Sequence, residues 1–370
     1  MLTLCVAILA QPPGATPLSG RPESFLLKGP GLQARENGLE AARHGRFADA
    51  VPLLERAVRA PPVATARERQ SAATAENALG GALKLLGRVS EAAAAFARAL
   101  ALLDGANAPL DEATVESNLG AVLADTARPE EAEARYHSAL RTLDEADGAA
   151  ADSGDVLGGG GGDDDGGGGS AADNGLTDEL AVARARARAD VLNNLADLRH
   201  SARRLVEAHE LHAQALALRE RALGARHGDL AGSLNNVAVL LMDLRRHEEA
   251  LPLLMRAASI SKRAAGAKHP QHATALNNLG GALTQLGRPA DALPHLKKAL
   301  AINKAALGAA HETTQGAAES IKACEAAIEQ RQLREAATRT HAVPDSSEAP
   351  PPPPPPRKTK KKRRLTEAEV

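Results

Sequence analysis

Between Thr274 and Gly287, Leu276, Leu279, Leu283 and Leu286 fall at the three-and-four spacing of one helical face, with Gly280 among them. Gly287 and Arg288 interrupt the pattern, and Pro289 suits the first turn of a new helix. Over 289–307, Ala292, Leu293, Leu296, Ala299 and Leu300 form a second stripe, which Gly308 closes. Neither helix can bury its stripe alone, but a stack of such pairs buries both.

The pair recurs. Asn194, Asn236 and Asn278 lie 42 residues apart, as do Gly224, Gly266 and Gly308, and His227, His269 and His311. Weaker copies run back through the chain. Asn118-Leu119-Gly120 precedes Ala132, Tyr136 and Ala139; Asn77 and Leu79-Gly80 precede Ala92, Phe96 and Ala99; Gly38 precedes Ala50, Leu54 and Ala57. The pattern predicts helix pairs at 31–60, 71–103, 111–146, 178–223, 229–265 and 271–308. A last helix at 312–338 has Ile321 and Lys322 where the sixth pair has Leu279 and Gly280. Such a polar outer face suits a terminal cap.

From Asn118 to Asn194 is 76 residues, 34 more than one period. The excess is glycine- and aspartate-rich and is expected to be a disordered insert over 148–176. Looping it out would cost roughly 3 kcal/mol of closure entropy; a hinge between two three-repeat blocks is the alternative. The expected organisation is a leader (1–30), repeats (31–147), the insert, repeats with a cap (177–338) and a proline-rich basic tail (339–370).

Composition agrees with thin, closely packed layers. Among 370 residues there is no Trp, one Tyr and three Phe, too few aromatics for one large globular core. Cys5 and Cys324 make neither a disulfide framework nor a zinc site. No stretch has the ~18 continuous apolar residues of a membrane-spanning helix. Leu2–Ala10 has the length of a secretory apolar core but no basic residues before it, so secretion is not expected. The net charge of −1 is uneven: Arg357, Lys358, Lys360, Lys361, Lys362, Arg363 and Arg364 carry +7, leaving −8 for the rest.

Catalytic chemistry finds no support. His209 and His212 share a helical face, but His212 falls at the inward place of Leu254 and Leu296. The glycine run of the insert has no following Lys or strand-to-helix context for phosphate. No nucleophile–base constellation recurs, so neither an enzyme nor a cofactor is expected.

The segments ATALNNLG (273–280) and KKALAINKAALGAAH (297–311) resemble the tetratricopeptide repeat. The 42-residue period, against the usual 34, is similar to that of kinesin light chains. The resemblance implies an all-α, right-handed superhelical solenoid of about six helix-turn-helix repeats plus a C-terminal capping helix, with the first helices lining a concave groove. It further implies that Asn118, Asn194, Asn236 and Asn278, beside Asn193, Asn235 and Asn277, hold the backbone of an extended peptide. Thr284 and Gln285 fall on the same face. The alternative role for these asparagines is to tie adjacent first helices together.

Asp125, Asp190, Asp197 and Asp243 outnumber Lys84 and His200 on that face, which points to a protein partner with an extended neutral or basic segment. Kinesin light chains carry a long coiled coil before their repeats. Here about 30 proline-bearing residues precede them and no heptad fits, which argues against a motor partner; a kinesin-light-chain-like cargo adaptor stands as an alternative reading. Pro350–Pro356 reads as a polyproline II spacer. The basic run after it suits an importin-type receptor or an anionic surface, with the array as a spacer in that reading. The expected location is the cytoplasm, with the nucleus second.

Overall fold

The computed structural model describes residues 30–59, 65–155 and 171–341. The expected leader up to residue 29, residues 156–170 of the insert and the basic tail Arg357–Arg364 lie outside the described residues. The described chain is helical throughout, with no strand. Six helix pairs follow one another: α1 (Pro30–Arg43) with α2 (Phe47–Val58), α3 (Ala66–Leu85) with α4 (Val89–Leu103), α5 (Pro109–Asp125) with α6 (Pro129–Asp155), α7 (Ala171–Ser201) with α8 (Leu205–Leu223), α9 (Leu230–Asp243) with α10 (His247–Ala264), and α11 (Pro270–Gln285) with α12 (Pro289–Leu307). Helix α13 (Glu312–His341) ends the series. The chain divides between Glu325 and Ala326 into two compact units, the first of which holds the six helix pairs.

Each pair closes on a small residue. A Cβ on Gly38 would lie 2.8 Å from Leu54 Cγ, one on Gly80 2.6 Å from Phe96 Cε1, one on Gly120 2.7 Å from Tyr136 Cε1, and one on Gly280 2.5 Å from Leu296 Cγ. In every case the partner lies sixteen residues on. The first helix therefore lacks a side chain where the second inserts its largest one. The fourth and fifth repeats use Ala196 and Ala238 there, facing His212 and Leu254, all buried.

The turn inside each pair is also uniform. Seven residues after the small residue the backbone enters the left-handed region, at Gly45, Gly87, Ala127, Arg203, Arg245 and Gly287. The following N–H then reaches back to a carbonyl five residues earlier, as from Arg288 to Leu283 at 2.9 Å, which satisfies the helix end. That following residue is arginine in all six pairs. In five of them it pairs with an acid three residues on, as in Arg88–Glu91 and Arg246–Glu249. Ahead of α9, α11 and α13 a histidine begins the next helix: His269 Nδ1 accepts from Gln271 N at 3.2 Å, and His227 and His311 accept in the same way.

The array is continuous across the insert. One apolar core runs from Ala41 through the first three repeats to Val191, Leu195 and Leu198 on α7. The helices also run further into the expected insert than its composition suggests: α6 reaches Asp155 and α7 starts at Ala171, against expected limits of 147 and 177. Ion pairs join α6 and α7 just before these extensions begin. Arg184 meets Asp147 at 2.5 Å, and Arg188 meets Asp147 at 2.7 Å and also Asp144. At the far end Ile321 is buried on α13 while Lys322 is exposed, the polar face expected of a cap.

Candidate functional site

Successive first helices approach one another: α1 and α3, α3 and α5, α5 and α7, and α9 and α11 are all in contact. This first-helix face carries the asparagines. Asn118, Asn194, Asn236 and Asn278 are all half-buried in one row. Asn118 Nδ2 donates to Asn77 Oδ1 at 2.8 Å, Asn194 Nδ2 to Ser117 Oγ at 2.9 Å, and Asn278 Nδ2 to Asn235 Oδ1 at 2.8 Å. The bonds run diagonally, from the second position of one first helix to the first position of the helix before it. Linking adjacent helices is thus a role three of these side chains perform. Each link uses one of the amide's two N–H groups, so the second N–H and the carbonyl are not consumed by it.

The row is interrupted between the fourth and fifth repeats. His212 stands in the place of Leu254 and Leu296 and is buried. Its Nδ1 lies 2.8 Å from Asn193 Oδ1 and its Nε2 3.3 Å from Asp197 Oδ1. Asn193, expected to line the groove, is itself buried. The histidine holds its carbonyl inward, so Asn193 does not belong to the exposed surface. With that acceptor engaged, Asn236 makes no side-chain hydrogen bond among the described residues. At the other end, Asn277 Oδ1 is buried without a partner. Its expected donor would come from α13, where Ser320 takes the place of Asn278 and instead donates to the Gly316 carbonyl at 2.9 Å. Thr284 donates to the Gly280 carbonyl at 2.9 Å, and Gln285 is exposed.

The charges foreseen on this face are largely paired. Lys84 Nζ meets Asp125 at 3.1 Å, and His200 Nε2 meets Asp243 at 2.7 Å, each linking neighbouring first helices. Arg219 holds Asp190, whose carboxyl is pushed above the usual range by burial, against the opposing pull of that arginine. Asp125, Asp197 and Asp243 remain substantially exposed.

Buried charge was not anticipated. Glu76 and Glu116 occupy the place that Leu192, Leu234 and Leu276 hold in later repeats, and both are buried. Arg98 grips Glu76 through two bonds of 2.7 and 2.8 Å. Glu116 has no such clamp: Arg135 lies 3.8 Å away, and its Oε2 has no hydrogen-bond partner. Burial pushes its carboxyl above the usual range, partly offset by a hydrogen bond with Ser138. The sequence signal was an acid in a leucine stripe. Away from the asparagines, α6, α7 and α8 enclose a shallow cavity of about 390 Å³ between Leu140, Leu192 and Leu218. Among the described residues no cluster of three or more His, Cys, Asp or Glu could hold a metal.

Three family models described as tetratricopeptide repeat match residues 35–109, 188–229 and 229–305. No curated protein matches the chain. Among solved structures, BtubC from P. vanneervenii is similar at 19% identity, covering 76% of this chain and 92% of its own, with a TM-score of 0.49. A Rap protein complexed with competence and sporulation factor covers 81% of this chain and 76% of its own, at 12% identity and a TM-score of 0.50. A putative kinesin light chain from Podosopora anserina, with nearly identical repeats, covers 76% of this chain and 99% of its own, at 17% identity and a TM-score of 0.32. The repeat matches together span just over half of the sequence, and the chain belongs to the tetratricopeptide repeat family.

Proposed function

We propose that the protein is a non-catalytic scaffold that holds an extended segment of a partner protein along its first-helix face. The family is typically a protein-binding fold, which supports a protein partner. The observation that carries the finer reading is the row of half-buried asparagines, with donors and acceptors left over after the helix-to-helix links are made. An amide offering both a donor and an acceptor suits a main chain of any sequence. The exposed carboxylates of Asp125, Asp197 and Asp243 favour a neutral or basic segment over an acidic one.

Asn236 gives the clean test, because no helix link depends on it. Partners are captured from lysate with the full chain and with Asn236→Ala, after circular dichroism shows equal helicity. Loss of the captured partners supports the groove reading; an unchanged set with unchanged retention overturns it. Removing the seven basic residues of 357–364 in parallel separates a tail-led adaptor, whose partners would leave with the tail alone.

A further inference from the structure

The two edges of the array treat their cations differently. On the edge formed by the turns inside each pair, five of the six arginines that precede the second helices are matched by an acid three residues on, although Arg203 and Arg245 in the same turns have no carboxylate partner among the described residues. On the opposite edge, formed by the turns between pairs, the charge changes sign along the chain. In the second and third repeats the places that match the ends of the later second helices by register carry Asp104, Asp144 and Glu145. At the same places the fourth repeat carries Glu220 and Arg221, and the last two carry Lys262, Arg263 and Lys304. The turns that follow add Arg226 and Lys268.

Arg221, Arg226, Lys262, Lys268 and Lys304 are all exposed, and none has a carboxylate partner among the described residues. The acids of this stretch are spent elsewhere: Glu220 is held by Arg256 and Asp229 by Arg186. Glu312, at the start of α13, is the exposed acid that remains nearby. Lys298 joins the edge by register. It holds the place of Arg256, whose guanidinium reaches the Ala225 carbonyl in the preceding turn at 2.7 Å.

We propose that this edge of the fourth to sixth repeats is a docking surface for an acidic polypeptide segment, distinct from the first-helix face. Equivalent residues of stacked helix pairs are spaced by about 8–10 Å. An extended chain rises about 3.3 Å per residue, so every third side chain meets a new row of cations. A nucleic acid fits less well: no Phe, Tyr or Trp occurs between residues 137 and 370 to stack on bases. A bilayer fits less well because, among the described residues, the large apolar side chain exposed in this stretch of helix ends and turns is Leu307, at 37%. The local field is already felt inside the protein. Burial holds the His272 imidazole below its ordinary range, and Lys298 and Lys262 add to that, although a backbone hydrogen bond opposes it.

The test uses the full chain with the tail basics of 357–364 changed to Gln, so that the tail is not read. A fluorescent oligoglutamate peptide is titrated by anisotropy against this protein and against Lys262→Glu/Lys268→Glu/Lys304→Glu; a Lys→Gln version of the triple change guards against misfolding. The expected result is binding that weakens steeply from about 0.05 to about 0.5 M salt and about tenfold or more in the charge-reversed variant. Asn236→Ala is expected to bind the peptide as before. Absence of binding, equal binding by all variants, or tighter binding to duplex DNA or phosphatidylserine vesicles at the same salt overturns the proposal.

Discussion

Adjacent glycines in α3 should respond oppositely to the same substitution. At Gly80 an added Cβ would stand 2.6, 2.8 and 2.8 Å from three ring carbons of Phe96, which is itself buried. Carbon atoms settle at about 3.5–4.0 Å, so the ring must retreat by about 1 Å into a filled core. Overpacking of this kind costs about 1–3 kcal/mol, against which alanine gains about 1 kcal/mol of helix propensity. Gly80→Ala is therefore expected to be destabilising by about 0–2 kcal/mol. At Gly81 nothing lies within 4 Å, and only the gain of about 1 kcal/mol remains. Both variants change the unfolded chain alike, so their difference of about 1–3 kcal/mol reports the packing alone. Urea unfolding followed by helical ellipticity measures it. Hydrogen exchange over 66–103 guards against the loss of all-or-none behaviour in repeat arrays. Phe96→Leu added to Gly80→Ala should recover part of the loss, because Ala238 and Leu254 fill these places in the fifth repeat. If Gly80→Ala proves as stable as Gly81→Ala, the assigned contact is wrong.

Three further outcomes are expected. Glu116 has a raised folded-state carboxyl, so its contribution to stability is full below the ordinary carboxylate range and is lost as pH rises through the folded value; Ser138→Arg, copying the Arg98–Glu76 clamp, should flatten that dependence in melts recorded from pH 4 upward. Glu133 is the opposite case: the Arg199 hydrogen bond lowers it to about 2, so stability falls as pH drops from about 4.5 towards that value, and Glu133→Gln should remove about 1–2 kcal/mol at neutral pH after allowance for solvent screening. Ser320→Asn should give Asn277 Oδ1 its missing donor and raise stability by about 1 kcal/mol; no change in the urea midpoint would mean that the link does not extend to α13.

The fold was readable because its two determinants are local. A stripe of leucines fixes each helix, and a small residue sixteen places before a large one fixes how the pair closes, as Gly280 and Leu296 do. The asparagines were harder to read. A wheel drawn on α11 places Asn278 correctly on the face but cannot show that its amide crosses to Asn235, because that contact spans 43 residues. Asn193 was misplaced because one substitution in a different helix, His212 for leucine, draws it inward. The Glu76–Arg98 clamp lay hidden in a position normally apolar, where only the partner's reach reveals why the charge is tolerated. The arginine before every second helix was visible in the sequence as a sixfold repetition, but its pairing became clear only from the turn geometry.

The contact of α5 with α7 through Asn194 and Ser117 has a consequence for how this chain can change. In a stack held by nearest neighbours, thermodynamic coupling is carried by the surfaces that touch, not by the covalent path between them. Two repeats separated by 34 surplus residues still share one core. The junction between α6 and α7 therefore works as a splice point. Material can be gained, lost or exchanged there, even a whole foreign domain, while the mechanical continuity of the array passes by unaltered.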